Sequence, residues 1–363
     1  MKIALQIPYY ADGIRGPLIY TTTMARHLTE IGADVTAFAY FLKDHDRHRA
    51  RLLGMLGPYV KLDTRRWPGR LVRTLPVVDR LFLRPGGYDV FHDMNGHSTR
   101  TPSVFTLFGA GLSVNGLCPT FERTIAPKLP HYSRVAVFCD LVRDFLLKYY
   151  PVDPVRIAFV PFGVDHSMFY PMPQVGSAAL ARAQQKYRLP REFILCVGPF
   201  QFRDKVEHLL ALDMDMKYDI VLLPGGGGEH WPALKKKVAG RPRIHVMPPI
   251  PYREMPLFYN LATVLVHCSY FEDLGTTLRD AAACGLPIIA SAGHGNEEAL
   301  EGAAVYFNAN ILRELRAAIV RVMADPLERS RMRCHGVSVA ARFTWADSAR
   351  KMASVYNDAV RNP

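Results

Sequence analysis

At 363 residues, 49% of them hydrophobic and 21% charged, the chain is long enough for two cores and too apolar to be disordered. Its 45 Lys and Arg against 33 Asp and Glu give a net charge of +12; no helix-turn-helix, zinc-finger or RNA-binding signature accompanies that charge, which argues against a nucleic-acid partner. The longest charge-free run, Thr101–Phe121, is broken by Pro102, Gly109, Gly111, Asn115, Gly116 and Pro119 and cannot form one membrane-spanning helix.

The chain begins MKIALQIPYY, whose five-residue apolar stretch is too short for a signal-peptide core. The same stretch suits a buried strand at Lys2–Gln6. Similar apolar, β-branched runs follow at Val35–Ala39, Tyr88–His92, Ser103–Leu107, Arg134–Phe138 and Ile157–Val160. A second series runs through Phe193–Val197, Asp219–Leu223, Ile244–Met247, Thr263–His267, Pro287–Ala290 and Ala304–Phe307. Runs of this length without polar alternation predict strands buried on both faces, and the helical spacing between them predicts parallel sheets. The fold class is therefore α/β, with two doubly wound, Rossmann-like domains of six strands each. Pro171, Pro173, Gly176 and Pro190 punctuate a linker at 171–190 between a first domain, 1–170, and a second, 191–345. Ligands of open α/β sheets settle at the carboxyl ends of strands, so two such domains imply a cleft in which they face each other.

Charge is concentrated between Lys43 and Arg84, where 11 basic residues meet 4 acidic ones. The bases alternate with apolar residues around Trp67, a pattern that could rest on an anionic membrane or grip an acidic acceptor, or be a solvated Arg-rich surface. Six scattered cysteines (118, 139, 196, 268, 284 and 334) show no CxxC pair. They read as reduced thiols of a cytoplasmic protein rather than a disulfide frame or zinc site.

The most informative segment is Cys268–Pro287. It leaves the strand Thr263–His267, passes Glu272 and Gly275, enters a short helix carrying Asp280, and ends at Gly285-Leu-Pro287. Gly275 permits close backbone approach, and the amides of Thr276 and Thr277 open a helix N-terminus suited to a diphosphate. Glu272 and Asp280, eight residues apart, could accept hydrogen bonds from sugar hydroxyls on either side of it. Two other motifs mislead. Asp213-Met-Asp215 has the DxD form of a metal site but closes a helical run rather than a strand, and Gly225–Gly228 lacks the Gly-Lys-Ser/Thr of a phosphate loop.

A pair of carboxylates in the Glu-x7-Glu setting resembles the retaining glycosyltransferases of the two-Rossmann-domain (GT-B) fold, the group that includes sucrose synthase and bacterial envelope mannosyltransferases. Val160-Pro-Phe-Gly163-Val164-Asp165, Leu195-Cys-Val-Gly198, Leu223-Pro-Gly225-Gly226-Gly227, Met255-Pro-Leu-Phe-Tyr259 and Ala281-Ala-Ala-Cys-Gly285-Leu-Pro287 follow in that family's order. Phe343-Thr-Trp345 through Tyr356 is similar to its closing helix, so the resemblance implies that residues 346–363 return to the first domain.

The resemblance also implies roles. Glu272 would hold the donor hexose and stabilise the transition state, while Asp280, at the second Glu position, would bind the nucleotide ribose. The amides at Gly275, Thr276 and Thr277 would carry the diphosphate, with Gly198 and Gly16 approaching it and backbone near Pro249 holding the base. The family's Arg and Lys after the strand-end glycine are replaced here by Pro199 and Asp204, which leaves Arg203 and Lys205 as the cations flanking the second position. His92, His97 and Asn115 are acceptor-side candidates, although a strand-end His is as readily a packed core residue. The implied reaction is metal-independent transfer of a hexosyl unit from a nucleotide diphosphate sugar to a small-molecule or lipid-linked acceptor, with no bound cofactor. A catalytically degenerate nucleotide-sugar-binding protein is the alternative outside catalysis, and a nucleotide-sugar epimerase the alternative within it.

Overall fold

Short buried runs do become parallel strands, and they sort into two sheets. The computed structural model describes residues 1–7, 16–41, 45–66, 87–94, 96, 102–108, 112–113, 116–117, 119–173, 177–198, 210–211, 217–224, 231–269, 275–293 and 295–363. The chain divides into unit 1, Met1–Gly163 with Trp345–Pro363, and unit 2, Val164–Thr344.

Unit 1 contains strands β1 (Lys2–Gln6), β2 (Asp34–Phe41), β3 (Lys61–Arg66), β4 (Val90–Asp93) and β5 (Ser103–Thr106). A two-stranded antiparallel pair follows, β6 (Leu112–Ser113) with β7 (Gly116–Leu117), and then β8 (Arg134–Val137) and β9 (Ile157–Phe159). The main sheet is parallel, in the order β3-β2-β1-β4-β5-β8-β9. Among the described residues it has seven strands where the sequence predicts six. The seventh, β3, reads KLDTRR, and its charge hides it from a search for apolar runs; that charge suits an edge position, where it discourages pairing with a further chain. Helix α1 (Gly16–Glu30) follows β1. Further helices described in unit 1 are α2 (His45–Leu56), α3 (Pro119–Thr124) and α4 (Asp140–Tyr149).

Unit 2 contains β10 (Phe193–Gly198), β11 (Asp219–Pro224), β12 (Ile244–Val246), β13 (Val264–His267), β14 (Ile288–Ser291) and β15 (Val305–Phe307). Their order, β12-β11-β10-β13-β14-β15, is the doubly wound 3-2-1-4-5-6 arrangement, with the switch point between β10 and β13. Successive residues of one strand feed opposite faces. Leu195, Val221 and Leu265 enter a cluster with Phe258 and Leu278, whereas Ile194, Ile220 and Val264 enter another with Leu315 and Ile319. Burial on both faces explains why these strands show continuous apolar runs.

The chain passes from unit 1 to unit 2 at Gly163/Val164, not within a free linker at 171–190. Val164 bridges Thr344 and its amide donates to Phe343 O at 3.0 Å. The Asn260 side chain accepts from the Met172 amide at 2.7 Å and donates to Tyr170 O at 3.1 Å. Helix α5 (Ala178–Tyr187), capped by Ser177, then packs within the same unit. The prolines at 171 and 173 shape an extended segment laid on unit 2, which their composition alone does not distinguish from a tether. Among the described residues, the further helices of unit 2 are α6 (Trp231–Lys237), α7 (Met255–Leu261), α8 (Thr276–Ala283), α9 (Asn296–Leu300), α10 (Leu312–Ala324) and α11 (Pro326–Ala340).

Helix α12 (Trp345–Arg361) belongs to unit 1. Its buried residues, Trp345, Ser348, Ala349, Met352, Val355, Tyr356 and Ala359, recur at three- and four-residue spacing and make one apolar stripe. Arg134 satisfies its end by donating to the carbonyls of Asp358 and Asn362, both at 3.2 Å. Among the described residues, no helix is long and apolar enough to cross a membrane.

Candidate active site

The carboxyl edge of the unit 2 sheet gathers the described candidates of the second domain. Gly198 ends β10 beside Pro224 of β11. Pro249 lies exposed just beyond β12, and the chain after it turns through a short 3-10 segment, Tyr252–Glu254. On the other side of the switch point, β13 ends at His267 and the chain re-enters helix at α8.

That helix starts on Gly275, which has φ +64° and supplies no side-chain cap. A Cβ added there would stand 2.8 Å from Ala299 Cβ, so both conformation and space demand glycine. The helical ladder begins with the Arg279 amide donating to Gly275 O at 2.8 Å. The amides of Thr276 and Thr277 precede it, and both residues are half-exposed. First-turn amides without an intrahelical acceptor, at the positive end of the helix dipole, favour an anion.

Asp280 lies one turn further, buried at 6% exposure. Burial raises its carboxyl well above the usual carboxylate range, and the nearby charge of Asp165 adds to the rise. The Tyr252 hydroxyl donates to Asp280 Oδ2 at 3.3 Å, which opposes it. This bond joins the segment beyond β12 to α8 and brings the candidate base-binding and ribose-binding positions together. Nothing about Tyr252 in the sequence singles it out, because its partner is 28 residues away. Behind α8, Arg279 is nearly buried, with its guanidinium carbon 3.7 Å from the centre of the Phe343 ring and Nε donating to Ala299 O at 3.2 Å.

A further group escapes the sequence reading. Ser269, Ser291 and Asn296 are all buried where β13 and β14 end. Asn296 Nδ2 donates to Ser291 O and Ser291 Oγ, both at 2.9 Å, and lies 3.3 Å from Ser269 O. Ser291 Oγ donates to Ser269 O at 2.5 Å. Only the Gly-Asn step after a predicted strand hints at this cluster.

Of the unit 1 candidates, Gly16 is the half-exposed first residue of α1. His92 is not available to an acceptor. It is 0% exposed, with Nδ1 2.6 Å from the Tyr356 hydroxyl and Nε2 2.6 Å from Thr106 Oγ1. Burial pushes its pKa down to about 3, so it is a neutral imidazole that fastens α12 to β4 and β5. Glu272, Arg203, Lys205, His97 and Asn115 lie outside the described residues, as do Asp213–Asp215, Gly225–Gly228 and residues 67–84 of the basic segment. Among the described residues, no group of three or more His, Cys, Asp or Glu side chains could hold a metal ion.

Comparison with known proteins agrees with this architecture. The profile of the family described as glycosyl transferases group 1 matches residues 179–337. A D-inositol 3-phosphate glycosyltransferase of Streptomyces bingchenggensis is 32% identical over 319 residues, covering 77% of this chain and 68% of the relative. One from Thermobispora bispora is 25% identical over 404 residues, covering 95% and 90%. Among solved structures, the sucrose-phosphate synthase of Thermosynechococcus elongatus superimposes with a TM-score of 0.79 at 20% identity over 98% of both chains. Anabaena HepE, determined in complex with UDP-glucose, gives 0.76 at 15% identity, again over 98% of each. With two Rossmann-like units of GT-B type and a relative of this likeness over most of its length, the chain belongs to the group 1 glycosyltransferases.

Proposed function

We propose that this glycosyltransferase moves a hexosyl unit from a nucleoside diphosphate sugar to an acceptor hydroxyl with retention of anomeric configuration and without a metal ion. The observation that carries the reading is the start of α8. A glycine-capped helix presents the Thr276 and Thr277 amides beside the buried Asp280, at the carboxyl edge of a doubly wound sheet. In this reading the diphosphate sits on those amides, the ribose hydroxyls meet Asp280, and the base lies along the backbone near Pro249. Backbone amides and the Arg203 and Lys205 cations neutralise the departing diphosphate in place of a metal. Glu272 holds the hexose and stabilises its oxocarbenium-like state. A phosphate oxygen of the leaving group takes the acceptor proton on the same face, so no separate base is required.

The acceptor we favour is a small anionic polyol. The +12 charge suits such a ligand, and the relatives named above are D-inositol 3-phosphate glycosyltransferases. Six scattered cysteines without a CxxC pair favour a reducing compartment, the cytoplasm. Pro199 and Asp204, standing where the family carries cations, favour the second reading of a donor-binding protein without transfer activity.

The test combines UDP-glucose and other nucleoside diphosphate hexoses with D-inositol 3-phosphate and a panel of other acceptors, with the product anomer read by NMR. Transfer with retention, and a loss of at least a hundredfold in kcat for Glu272→Gln, is expected. Inversion, or a native rate in Glu272→Gln, overturns the mechanism. Calorimetric donor binding with no transfer to any acceptor establishes the second reading instead.

A further inference from the structure

The segment that follows β12 is fastened along its length, and each fastening holds one tyrosine in place. Pro251, with φ −60°, opens the turn Tyr252–Glu254. At the end of that turn the Glu254 carboxylate accepts from Lys186 Nζ at 2.7 Å and from the Tyr187 hydroxyl at 2.6 Å, both on α5. Between them the Tyr252 ring meets Phe169 edge-on, with ring centres 5.7 Å apart. The same ring packs on the core cluster to which Leu278 and Ala281 of α8 belong. A hydroxyl mounted in this way has little freedom, and it donates to Asp280 Oδ2 at 3.3 Å.

Asp280 needs such a partner. The last torsion of a carboxylate is broad, so without a bond its oxygens have no fixed aim. Its neighbours do not supply that bond. Arg279 turns behind α8 to the Phe343 ring and Ala299 O, and Asp165 accepts from the amide and hydroxyl of its own Ser167. Among the described residues, Tyr252 is the one side chain that donates to Asp280, and Oδ1 accepts from none of them. The bond also opposes burial and so favours the ionised carboxylate, which accepts at both oxygens. One oxygen is thereby taken up, and the other is left for a ligand that donates, as the hydroxyls of a ribose do. The geometry points to Tyr252 as a positioning residue: it aims the Asp280 carboxylate at the donor ribose, so that the site reads a ribonucleoside diphosphate over its 2′,3′-dideoxy counterpart. This rests on the reading of Asp280 as the ribose partner given above. The effect is separate from diphosphate binding, which that reading gives to the Thr276 and Thr277 amides.

The test measures Kd by calorimetry on the intact chain for UDP, GDP and the 2′,3′-dideoxy form of each. It compares the native protein with Tyr252→Phe, Asp280→Ala and the double variant. Tyr252→Phe keeps the ring against Phe169 and removes only the hydroxyl; Asp280→Asn replaces Asp280→Ala should the latter fail to fold. The native chain is expected to prefer the better-bound ribonucleotide over its dideoxy form by about tenfold, the worth of a hydrogen bond to a charged group. In Tyr252→Phe and in Asp280→Ala that preference should fall to about twofold, while Kd for the dideoxy form stays within about twofold of native. Placed on Asp280→Ala, Tyr252→Phe should cost less than about a further twofold, since the carboxylate it aims is already gone. A merely structural role would weaken the ribo and dideoxy forms together. That outcome, or a native preference in Tyr252→Phe beside a lost one in Asp280→Ala, overturns the inference alone. A native preference in Asp280→Ala, no preference in the native chain, or no binding of either nucleotide overturns the underlying reading of Asp280.

Discussion

Acidification should loosen unit 1 through His92. In the unfolded chain this imidazole takes a proton near its ordinary pKa of 6.5, whereas in the folded protein burial holds it at about 3. Between those values the unfolded state binds one more proton, so stability falls as pH falls, by ~1.4 kcal/mol per pH unit. The contribution is fully present above pH 6.5 and lost progressively toward pH 3. From pH 7 to 5 the loss is ~2 kcal/mol, a figure insensitive to the folded value because pH 5 lies well above it. Both ring nitrogens have hydroxyl partners that could accept, so the resistance to protonation comes from burial and not from a missing partner. The assay is a urea titration at pH 5, 6 and 7, read by hydrogen-exchange mass spectrometry on peptides of α12, which reports unit 1 alone. His92→Gln is the control, since its amide does not titrate. It will cost stability at every pH, but the pH dependence of the native protein relative to it should be steeper by ~2 kcal/mol between pH 7 and 5. Parallel profiles for the two proteins would refute the assignment of a buried neutral imidazole.

Two predictions concern α8. Gly275→Ala places a Cβ at φ +64° and 2.8 Å from Ala299 Cβ, so it should destabilise unit 2 by about 2–4 kcal/mol in chemical denaturation and abolish donor-induced thermal stabilisation. Asp280→Asn removes a carboxyl whose folded pKa is raised by burial, a group whose favourable contribution is present at low pH and lost as pH rises through the folded value. The variant's melting temperature should therefore exceed the native one, with a gap that widens as pH rises above the ordinary carboxylate value. Its affinity for UDP should nevertheless fall by about tenfold, the worth of a hydrogen bond to a charged group.

The strands of both sheets are legible because burial on two faces leaves continuous apolar runs, and β3 is the exception because an edge strand can be charged. The glycine-to-helix transition at Gly275 and the acid at 280 are equally legible, being local in the chain. What escapes is whatever depends on distant partners. Asn296 looks like a loop residue until Ser269 and Ser291 are brought beside it, and Tyr252 acquires meaning only from Asp280. His92 fails in the opposite sense: a histidine at a strand end looks like a ligand contact, and only α12, more than 260 residues away, shows that the ring is enclosed. The prolines of 171–190 mislead for the same reason, since Asn260 holds that stretch against unit 2.

The return of α12 to unit 1 has a bearing on how the protein is made. Residues 164–344 form an uninterrupted stretch and can fold as soon as they leave the ribosome, whereas unit 1 waits for Trp345–Arg361 to seal His92, Tyr20 and Phe162 beneath it. Synthesis order is thereby inverted: the part translated first is the last to close. Premature termination before α12 would release a finished unit 2 attached to an open, aggregation-prone partner, and a fragment of unit 1 ending at Gly163 should require the helix supplied as a separate peptide.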